Sequence, residues 1–272
     1  MPSLNRPIID VHAHLGQSTC SEMSADGSRL CELYRGAGIT HGVAFSIEAC
    51  YGGLDAGNAS TLSEVAKHEM LSAMVVAHPG HFEASRRWVK DGVANPDVVG
   101  VKLHPVLGQY DVLTHGLARL MEEVIGPSGL PVLSHVGNES PNVPVESYLE
   151  FASHFPATRF IAAHLGVGVL GLRRRAIDAW KKQPLDNVWF DMGTLRAFST
   201  GAVEGLLEAV GPDRICFGTD SPLYTPAPFV RLLETLETTD DVREKVAYRN
   251  ALVVLPRLAG KPGAERLPIP HL

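Results

Sequence analysis

The chain has 272 residues, of which 45% are hydrophobic and 20% charged, and its formal net charge is −6. These values are typical of a globular protein with a large core, and the negative charge gives no electrostatic reason to expect a nucleic acid or an anionic membrane surface as a partner. The four cysteines form no CxxC pair and are too few for a disulfide scaffold, which favours a reducing cytoplasm. Because the first seven residues contain no apolar signal core, we expect a cytoplasmic protein.

Short apolar runs alternate with helical patterns along the chain. Eight runs are predicted as strands, at residues 8–16, 39–47, 71–79, 98–105, 131–137, 159–166, 187–193 and 214–220. Helices are predicted at residues 24–35, 60–68, 82–90, 113–125, 145–154, 168–182, 201–210, 228–238 and 241–255. Strands joined through helices are parallel with right-handed crossovers, so this pattern predicts an α/β fold. Eight such units predict a single domain over residues 1–272, a distorted (β/α)₈ TIM barrel with C-terminal helices.

The first predicted strand carries two histidines that can chelate a metal ion. Side chains two residues apart on a strand point to the same face and lie about 6.6 Å apart, so His12 and His14 project side by side. Asp10 lies on the same face, one step deeper. A first-row divalent ion needs three or four ligands, so the histidine pair is half of a site.

Further metal-compatible side chains lie near the ends of other predicted strands. They are Lys102 and His104 on the fourth strand, His135 on the fifth, His164 on the sixth and Asp220 on the eighth. The active site of a barrel of this kind lies at the C-terminal ends of its strands. Buried lysine and aspartate are rare unless they are paired or coordinate a metal, so their convergence at one end indicates a functional site.

The ordered set of motifs resembles the amidohydrolase superfamily. The matching segments are Asp10-Val11-His12-Ala13-His14, His135, Ala163-His164-Leu165-Gly166 and Gly218-Thr219-Asp220-Ser221-Pro222. Two further segments, Gly100-Val101-Lys102-Leu103-His104-Pro105 and Asn250-Ala251, resemble the amidohydrolase-related branch. That branch includes the aminocarboxymuconate-semialdehyde decarboxylase group and many small hydrolases.

By this resemblance, four residues would bind one divalent metal ion: His12, His14, His135 and Asp220. Nitrogen and carboxylate ligands without a thiolate suit Zn²⁺, with Mn²⁺, Fe²⁺ or Co²⁺ as alternatives. The ion would lower the pKa of a bound water towards about 7. His164 would orient that water or polarise the substrate, and Asp220 would transfer protons.

Lys102 and His104 leave a second arrangement open. In binuclear members of the superfamily, a carboxylated lysine on the fourth strand bridges two ions, and the histidines of the fifth and sixth strands serve the second ion. Lys102 or His104 could be that strand-four group, with His164 at the second ion. Alternatively, Lys102 forms an ion pair with Asp10 or another acid in the barrel. We expect one ion rather than two.

Three loop residues are predicted to contact the substrate. Arg196 could form a forked contact with a substrate carboxylate, the geometry for which arginine is best suited. Tyr51 and His78 follow the second and third strands at the functional end of the barrel. The alternatives are a surface ion pair for Arg196 and loop positions that do not reach the pocket for the other two.

The ligand set predicts the type of chemistry better than the substrate. The leading prediction is hydrolysis of an amide, cyclic amide or ester bond of a small molecule by a metal-activated water. The alternative is non-oxidative decarboxylation of a small unsaturated or aromatic carboxylate, which uses the same ligands. A metal-dependent deoxyribonuclease is less favoured, because such an enzyme would be expected to need a basic groove for DNA and the net charge of the chain is −6. We expect a small-molecule substrate that could bear a carboxylate, no nucleic-acid or membrane partner, and a homodimer by family resemblance.

Overall fold

The structure is a computed structural model that describes residues 6–19, 21–137, 143–166 and 172–263. In these ranges, one sheet contains the strands β1 (Ile9–Gln17), β2 (Ser24–Ala25), β3 (His41–Ser46), β4 (Leu71–Val76), β5 (Val98–Leu103), β6 (Val132–Ser134), β7 (Phe160–Ala162), β8 (Val188–Asp191) and β9 (Ile215–Cys216). The order across the sheet is β2-β1-β3-β4-β5-β6-β7-β8-β9. All neighbouring pairs are parallel except β1 and β2, which are antiparallel.

The sheet closes on itself where β1 meets the segment that follows β9. The backbone N–H of Val11 donates to the Phe217 carbonyl at 3.1 Å, and the N–H of His14 donates to the Ser221 carbonyl at 2.7 Å. The N–H of Asp220 donates back to the His12 carbonyl at 2.8 Å. The predicted distorted barrel is therefore confirmed, and this closure brings the two histidines of β1 next to Asp220.

Helices cover the outside of the barrel. They are α1 (Gly27–Ala37), α2 (Ile47–Cys50), α3 (Leu54–Val65), α4 (Phe82–Ala94), α5 (His115–Leu120), α6 (Gly126–Ser128), α7 (Val145–Ser153), α8 (Leu172–Lys182), α9 (Ala202–Val210), α10 (Ala227–Thr235), α11 (Asp240–Glu244) and α12 (Asn250–Val254). Two π-helical turns, Met121–Ile125 and Lys245–Arg249, continue α5 into α6 and α11 into α12. None of the described helices is both long enough and apolar enough to span a membrane.

Two predicted helix starts differ from the structure for local reasons. The helix predicted from residue 24 begins as α1 at Gly27, because residues 24–25 form β2 and the Asp26 carboxylate caps the helix by accepting the Arg29 N–H at 2.8 Å. The helix predicted from residue 60 begins as α3 at Leu54. A glycine and an asparagine in its first turns obscure this start in the sequence, although both lie inside the helix.

The strand side chains are buried on both faces, as expected for parallel strands with helices packed around them. Apolar side chains form the core along the barrel, whereas one group of buried polar side chains, which includes His14, His104 and Asp220, lies towards the C-terminal ends of the strands. Cys31, Cys50 and Cys216 are buried free thiols within this core. The fold thus directs one group of polar residues towards a single end of the barrel.

Candidate metal centre

His12 and His14 lie side by side on β1, with their ring centres 5.5 Å apart. Asp220 lies beside both, because the turn after β9 is hydrogen-bonded to β1. Its Oδ1 atom is 3.3 Å from His12 Nε2 and 2.8 Å from His14 Nε2. Asp220 has a φ of 59°, a left-handed conformation that few residues other than glycine adopt. Such a conformation at a functional side chain is typical of a site where the surroundings enforce the geometry.

These three residues fit a divalent metal ion. Their ligand atoms lie within 4.8 Å of one another. His12 Nε2 and His14 Nδ1 are buried without a hydrogen-bond partner among the described residues, which is costly unless another group supplies the contact. Two imidazole nitrogens and a carboxylate oxygen are ligands that Zn²⁺ and Mn²⁺ accept.

The protonation of the cluster also suits a metal. Burial lowers the pKa of His12 to about 4 and lowers the pKa of His14, so both rings are neutral near pH 7 and keep a lone pair. Burial alone would raise the pKa of Asp220. However, His12 is protonated in the acid range where Asp220 would take up a proton, and its charge there, together with the hydrogen bond from His14, outweighs burial and lowers the pKa of Asp220. Asp220 is therefore a carboxylate near pH 7.

A second pair of histidines adjoins this cluster. His164 Nδ1 donates to the Gly193 carbonyl at 2.6 Å, and His164 Nε2 lies 3.1 Å from His135 Nδ1. The His164 ring centre is 5.0 Å from that of His12. Thus the structure brings three of the four predicted ligands into one group, with His135 adjacent through His164 rather than within that group.

His104 stacks on His135, with ring centres 4.4 Å apart and ring planes 14° from parallel. Its Nδ1 accepts the backbone N–H of Leu107 at 3.3 Å, so the neutral ring carries its hydrogen on Nε2. Burial and the neighbouring His135 hold the pKa of His104 well below its ordinary value. His104 is therefore a neutral donor at the pocket wall, and in this tautomer neither of its nitrogens has a lone pair for a metal.

Lys102 is fully buried beneath the histidines. Its Nζ atom lies 4.4 Å from the centre of the Phe45 ring and has no hydrogen-bond partner among the described residues. Burial lowers the pKa of Lys102 to about 8, although Cys50, Asp220 and Asp191 oppose the shift. An aromatic face is a known substitute partner for an ammonium group.

Lys102 does not form an ion pair with Asp10. Asp10 Oδ1 accepts the backbone N–H groups of His12 and Thr219, both at 3.0 Å. Its Oδ2 accepts the Tyr34 hydroxyl at 2.8 Å and the Thr219 hydroxyl at 2.5 Å. Asp10 thereby connects the histidine strand to the turn that carries Asp220.

The sequence interpretation missed Asp191, which ends β8. Its Oδ2 accepts His12 Nδ1–H at 2.8 Å, and its Oδ1 accepts the backbone N–H groups of His164 and Gly193 at 3.0 and 2.9 Å. Asp191 also forms a group of possible ligands with His12 and His164. The signal was available, because Asp191 is an acid near the C-terminal end of a predicted apolar strand, as is Asp220 in the predicted eighth strand.

The predicted loop residues have different positions. Tyr51 lines the pocket, and its hydroxyl lies 3.5 Å from Ser18 Oγ. His78 does not line it: its Nε2 donates to the Gly108 carbonyl at 2.8 Å and its Nδ1 accepts the Gly80 N–H at 2.9 Å. Both nitrogens of His78 thus stabilise loops. Arg196 lies in the 3₁₀ turn Leu195–Phe198 after β8, but its side chain is outside the described part of the structure.

A pocket of about 340 Å³ opens above the cluster. Its polar wall contains His14, His104, His135, His164 and Asp220 together with Ser18, Ser21 and Tyr51. Its apolar wall contains Met23, Ile47, Val106, Leu107 and Leu223. The pocket has the size of a small-molecule site.

Comparison with known proteins identifies the family. The sequence model described as Amidohydrolase matches residues 9–257. No curated protein sequence matches this chain. Solved structures share the fold at low sequence identity, and three of them illustrate the range of activities.

The first is 5-carboxyvanillate decarboxylase from Sphingomonas paucimobilis, with 13% identity, a TM-score of 0.69, and coverage of 92% of this chain and 99% of that one. The second is a dihydroxybenzoic acid decarboxylase from Polaromonas with bound manganese and the inhibitor 2-nitroresorcinol, with 14% identity, a TM-score of 0.71, and coverage of 92% and 97%. The third is a probable 2-pyrone-4,6-dicarboxylic acid hydrolase from Acinetobacter baumannii with bound citric acid, with 13% identity, a TM-score of 0.67, and coverage of 92% and 99%. Because the family match extends over most of the sequence, the chain belongs to the amidohydrolase family.

Proposed function

We propose that this protein is a metal-dependent, non-oxidative decarboxylase of a small aromatic or unsaturated carboxylate. Hydrolysis is the leading prediction from the sequence alone, but two of the three solved structures compared above are decarboxylases. At such low identity these structures support the fold rather than the substrate. The choice between hydrolysis and decarboxylation therefore depends on the pocket of this chain.

The observation that carries the proposal is the contrast between the floor and the walls of the pocket. The floor holds the His12, His14 and Asp220 cluster, whereas much of the wall is apolar. No arginine or lysine lines the pocket among the described residues. A substrate carboxylate would find a positive partner at an ion held by these three residues, and the apolar walls would enclose a flat ring. The carboxylate next to the reacting carbon would be the group that binds there.

One ion is favoured over two. The two groups of candidate ligands share His12, whose Nδ1 donates its hydrogen to Asp191. A neutral imidazole has only one lone pair, so His12 serves one metal through Nε2. When bound, the ion supplies positive charge that holds the substrate carboxylate and stabilises negative charge in the transition state.

The chain's own residues supply orientation and a proton. His164 and His135 line the pocket beside the cluster and border the position of the leaving carboxylate. Asp220 directs Oδ1 to the histidines, while its Oδ2 lies 4.0 Å from His164 Nδ1. Asp220 takes a proton from water or from a substrate hydroxyl. When the C–C bond breaks, its electron pair stays on the ring carbon, CO₂ leaves, and Asp220 returns the proton to that carbon.

The test compares both reactions on one preparation. Metal-free protein is reconstituted with Mn²⁺ or Zn²⁺ and incubated with a panel of hydroxylated aromatic carboxylates, and CO₂ release is measured. Lactones are assayed in parallel by proton release, and cyclic amides by chromatography of the ring-opened product. The proposal predicts metal-dependent CO₂ release and one deuterium at the former carboxyl position in D₂O. Lactone or amide hydrolysis without CO₂ release would instead establish hydrolysis and reject the proposal.

A further inference from the structure

The Asp191 carboxylate contacts two histidines of the site, the His12 ring and the His164 backbone, as well as Gly193. One of its oxygens accepts His12 Nδ1–H at 2.8 Å, and the other accepts the backbone N–H groups of His164 and Gly193 at 3.0 and 2.9 Å. Asp191 is fully buried, so its charge is not screened by solvent. These contacts occupy three of about four lone-pair directions that a carboxylate offers.

The contact with His12 fixes the position of a hydrogen. An ionised carboxylate only accepts, so His12 Nδ1 must carry the hydrogen and the lone pair of the neutral ring is on Nε2. Nε2 is the buried atom that has no hydrogen-bond partner in the described part of the chain and that faces Asp220. The atom left free by Asp191 is therefore the one available to a metal.

The same argument extends through Gly193 to two more rings. The Gly193 carbonyl only accepts, so His164 Nδ1, at 2.6 Å, carries the hydrogen. In neutral His164 the lone pair is then on Nε2, which must accept the hydrogen of His135 Nδ1 at 3.1 Å. His135 Nε2 consequently keeps its lone pair. Because Asp191 binds the Gly193 N–H, it holds the start of this chain of hydrogen bonds.

The space around the Asp191 side chain is tightly packed. A Cβ atom added at Gly193 would lie 3.1 Å from Asp191 Oδ1, and one added at Gly218 would lie 3.0 Å from Asp191 Cβ. His164, whose N–H turns towards Asp191, has a left-handed φ of 63°. The close approach of the backbone to Asp191 thus depends on two glycines, and His164 adopts an uncommon backbone conformation beside it.

We propose that Asp191 is a positioning residue of the metal centre. It fixes His12 as the Nδ1–H tautomer directly, and it fixes His164 and His135 as Nδ1–H tautomers through Gly193. Outer carboxylates that orient histidine ligands typically contribute 10- to 100-fold to metal affinity. The inference rests on the metal centre of the proposed function but not on its reaction, so a lack of CO₂ release with intact metal binding would reject the reaction alone.

The first experiment uses the metal-free wild-type protein at neutral pH. Nitrogen-15 NMR of the imidazole rings distinguishes the two neutral tautomers without substrate or turnover. We expect Nδ1–H tautomers at His12, His135 and His164. An Nε2–H tautomer at His12 would overturn the proposal, and this readout does not depend on whether any variant folds.

The second experiment compares Asp191→Asn with Asp178→Asn, a matched change on the exposed face of α8. Calorimetric titration with Mn²⁺ or Zn²⁺ should give an affinity about 10- to 100-fold lower for Asp191→Asn and unchanged for Asp178→Asn. The His12 signal of Asp191→Asn should shift towards the Nε2–H tautomer. Wild-type affinity in folded Asp191→Asn, or lower affinity with an unchanged His12 tautomer, would overturn the positioning role.

Discussion

Two buried histidines at opposite ends of the barrel differ in the hydrogen bonding of one ring nitrogen. His41 begins β3 at the N-terminal end, with Nε2 at 2.9 Å from Ser72 Oγ and Nδ1 at 3.1 Å from the Pro262 carbonyl. His12, the fourth residue of β1, belongs to the cluster at the C-terminal end of the barrel; its Nδ1 donates to Asp191, and its Nε2 has no hydrogen-bond partner among the described residues. Burial lowers the pKa of each to about 4, so both rings are neutral near pH 7.

Burial and residue type are the same for His41 and His12, so neither property distinguishes a histidine that stabilises the fold from one that can bind a metal. At the N-terminal end, both nitrogens of the ring are used to join β3, β4 and the segment near Pro262. At the C-terminal end, one nitrogen is kept for a ligand that the protein itself does not provide. We therefore expect changes at the first end to alter stability and changes at the second to alter metal binding and turnover.

The largest effect is expected for Asp220→Asn. The amide cannot take up and return a proton, so kcat should fall by about 10²- to 10⁴-fold, the usual contribution of general acid–base catalysis. Some metal binding should remain, because the amide oxygen can still act as a weak ligand. Steady-state CO₂ release by the metal-loaded variant measures the first effect, and calorimetric titration measures the second.

Asp178→Asn is the matched control for this change, since Asp178 lies on the exposed surface of α8. It should retain wild-type kcat. If Asp220→Asn also retained wild-type kcat while binding the metal, Asp220 would not be the residue that transfers the proton.

The next largest effect is expected at His41, at the N-terminal end of the barrel. His41→Ala leaves the Ser72 hydroxyl and the Pro262 carbonyl without their buried partner, so the free energy of unfolding at pH 7.5 should fall by about 1–3 kcal/mol. Metal affinity should not change, because His41 lies at the opposite end of the barrel. Urea denaturation and calorimetric titration of the same variant test both statements. A loss of metal affinity without a loss of stability would show that His41 contributes to the metal centre rather than to the stability of the fold.

Acid should reduce the difference between His41→Ala and the wild type. The folded-state pKa of His41 is about 4, below the ordinary value of 6.5, so the unfolded chain takes up a proton first as the pH falls. The stability linked to this lowered pKa is therefore present above about pH 6.5 and is lost towards pH 4, by up to about 3 kcal/mol.

Urea denaturation of the metal-free wild type and of His41→Ala at pH 7.5 and pH 4.5 measures this loss. The wild type should lose more stability than the variant, although His12 contributes a similar loss to both proteins. An equal loss in the two proteins would show that His41 does not titrate as its burial requires.

Most of the fold could be predicted because its signal is repetitive. Each buried parallel strand is an apolar run of a few residues, and the helices between them carry an amphipathic pattern. Some boundaries could not be predicted because they depend on tertiary contacts. In α3, Asn58 is a helix residue whose side chain binds the backbone of Val76 at 2.8 and 3.0 Å. Its neighbour Gly57 has a bare Cα, which permits close approach to Ser46 and Ala49.

The site was predictable where residue type and strand position were sufficient. The convergence of His12, His14 and Asp220 follows from their places at strand ends and from closure of the barrel. Other features need atomic geometry. The sequence does not reveal that Asp191 binds His12, or that the nitrogens of His78 are used by loops.

The smallest predicted effect concerns Asp10, the buried acid of β1. Tyr34→Phe removes one of four hydrogen bonds to Asp10, and Phe keeps the ring that fills the space beside Gly42. The free energy of unfolding should fall by about 0.5–1.5 kcal/mol, measured by urea denaturation. The matched control is Tyr148→Phe, another buried tyrosine, whose hydroxyl lies a longer 3.4 Å from the Ile161 carbonyl and should contribute less.

Metal affinity separates two roles for Asp10 in the Tyr34→Phe variant. If Asp10 only ties β1 to the turn that carries Asp220, calorimetric titration should give an affinity within about twofold of the wild type, since Thr219 still donates two hydrogen bonds to Asp10. A loss of affinity as large as that expected for Asp191→Asn would instead place Asp10 among the residues that tune the metal. Four donors around one carboxylate favour the first outcome, because a fully bonded acid has no lone pair left for an ion.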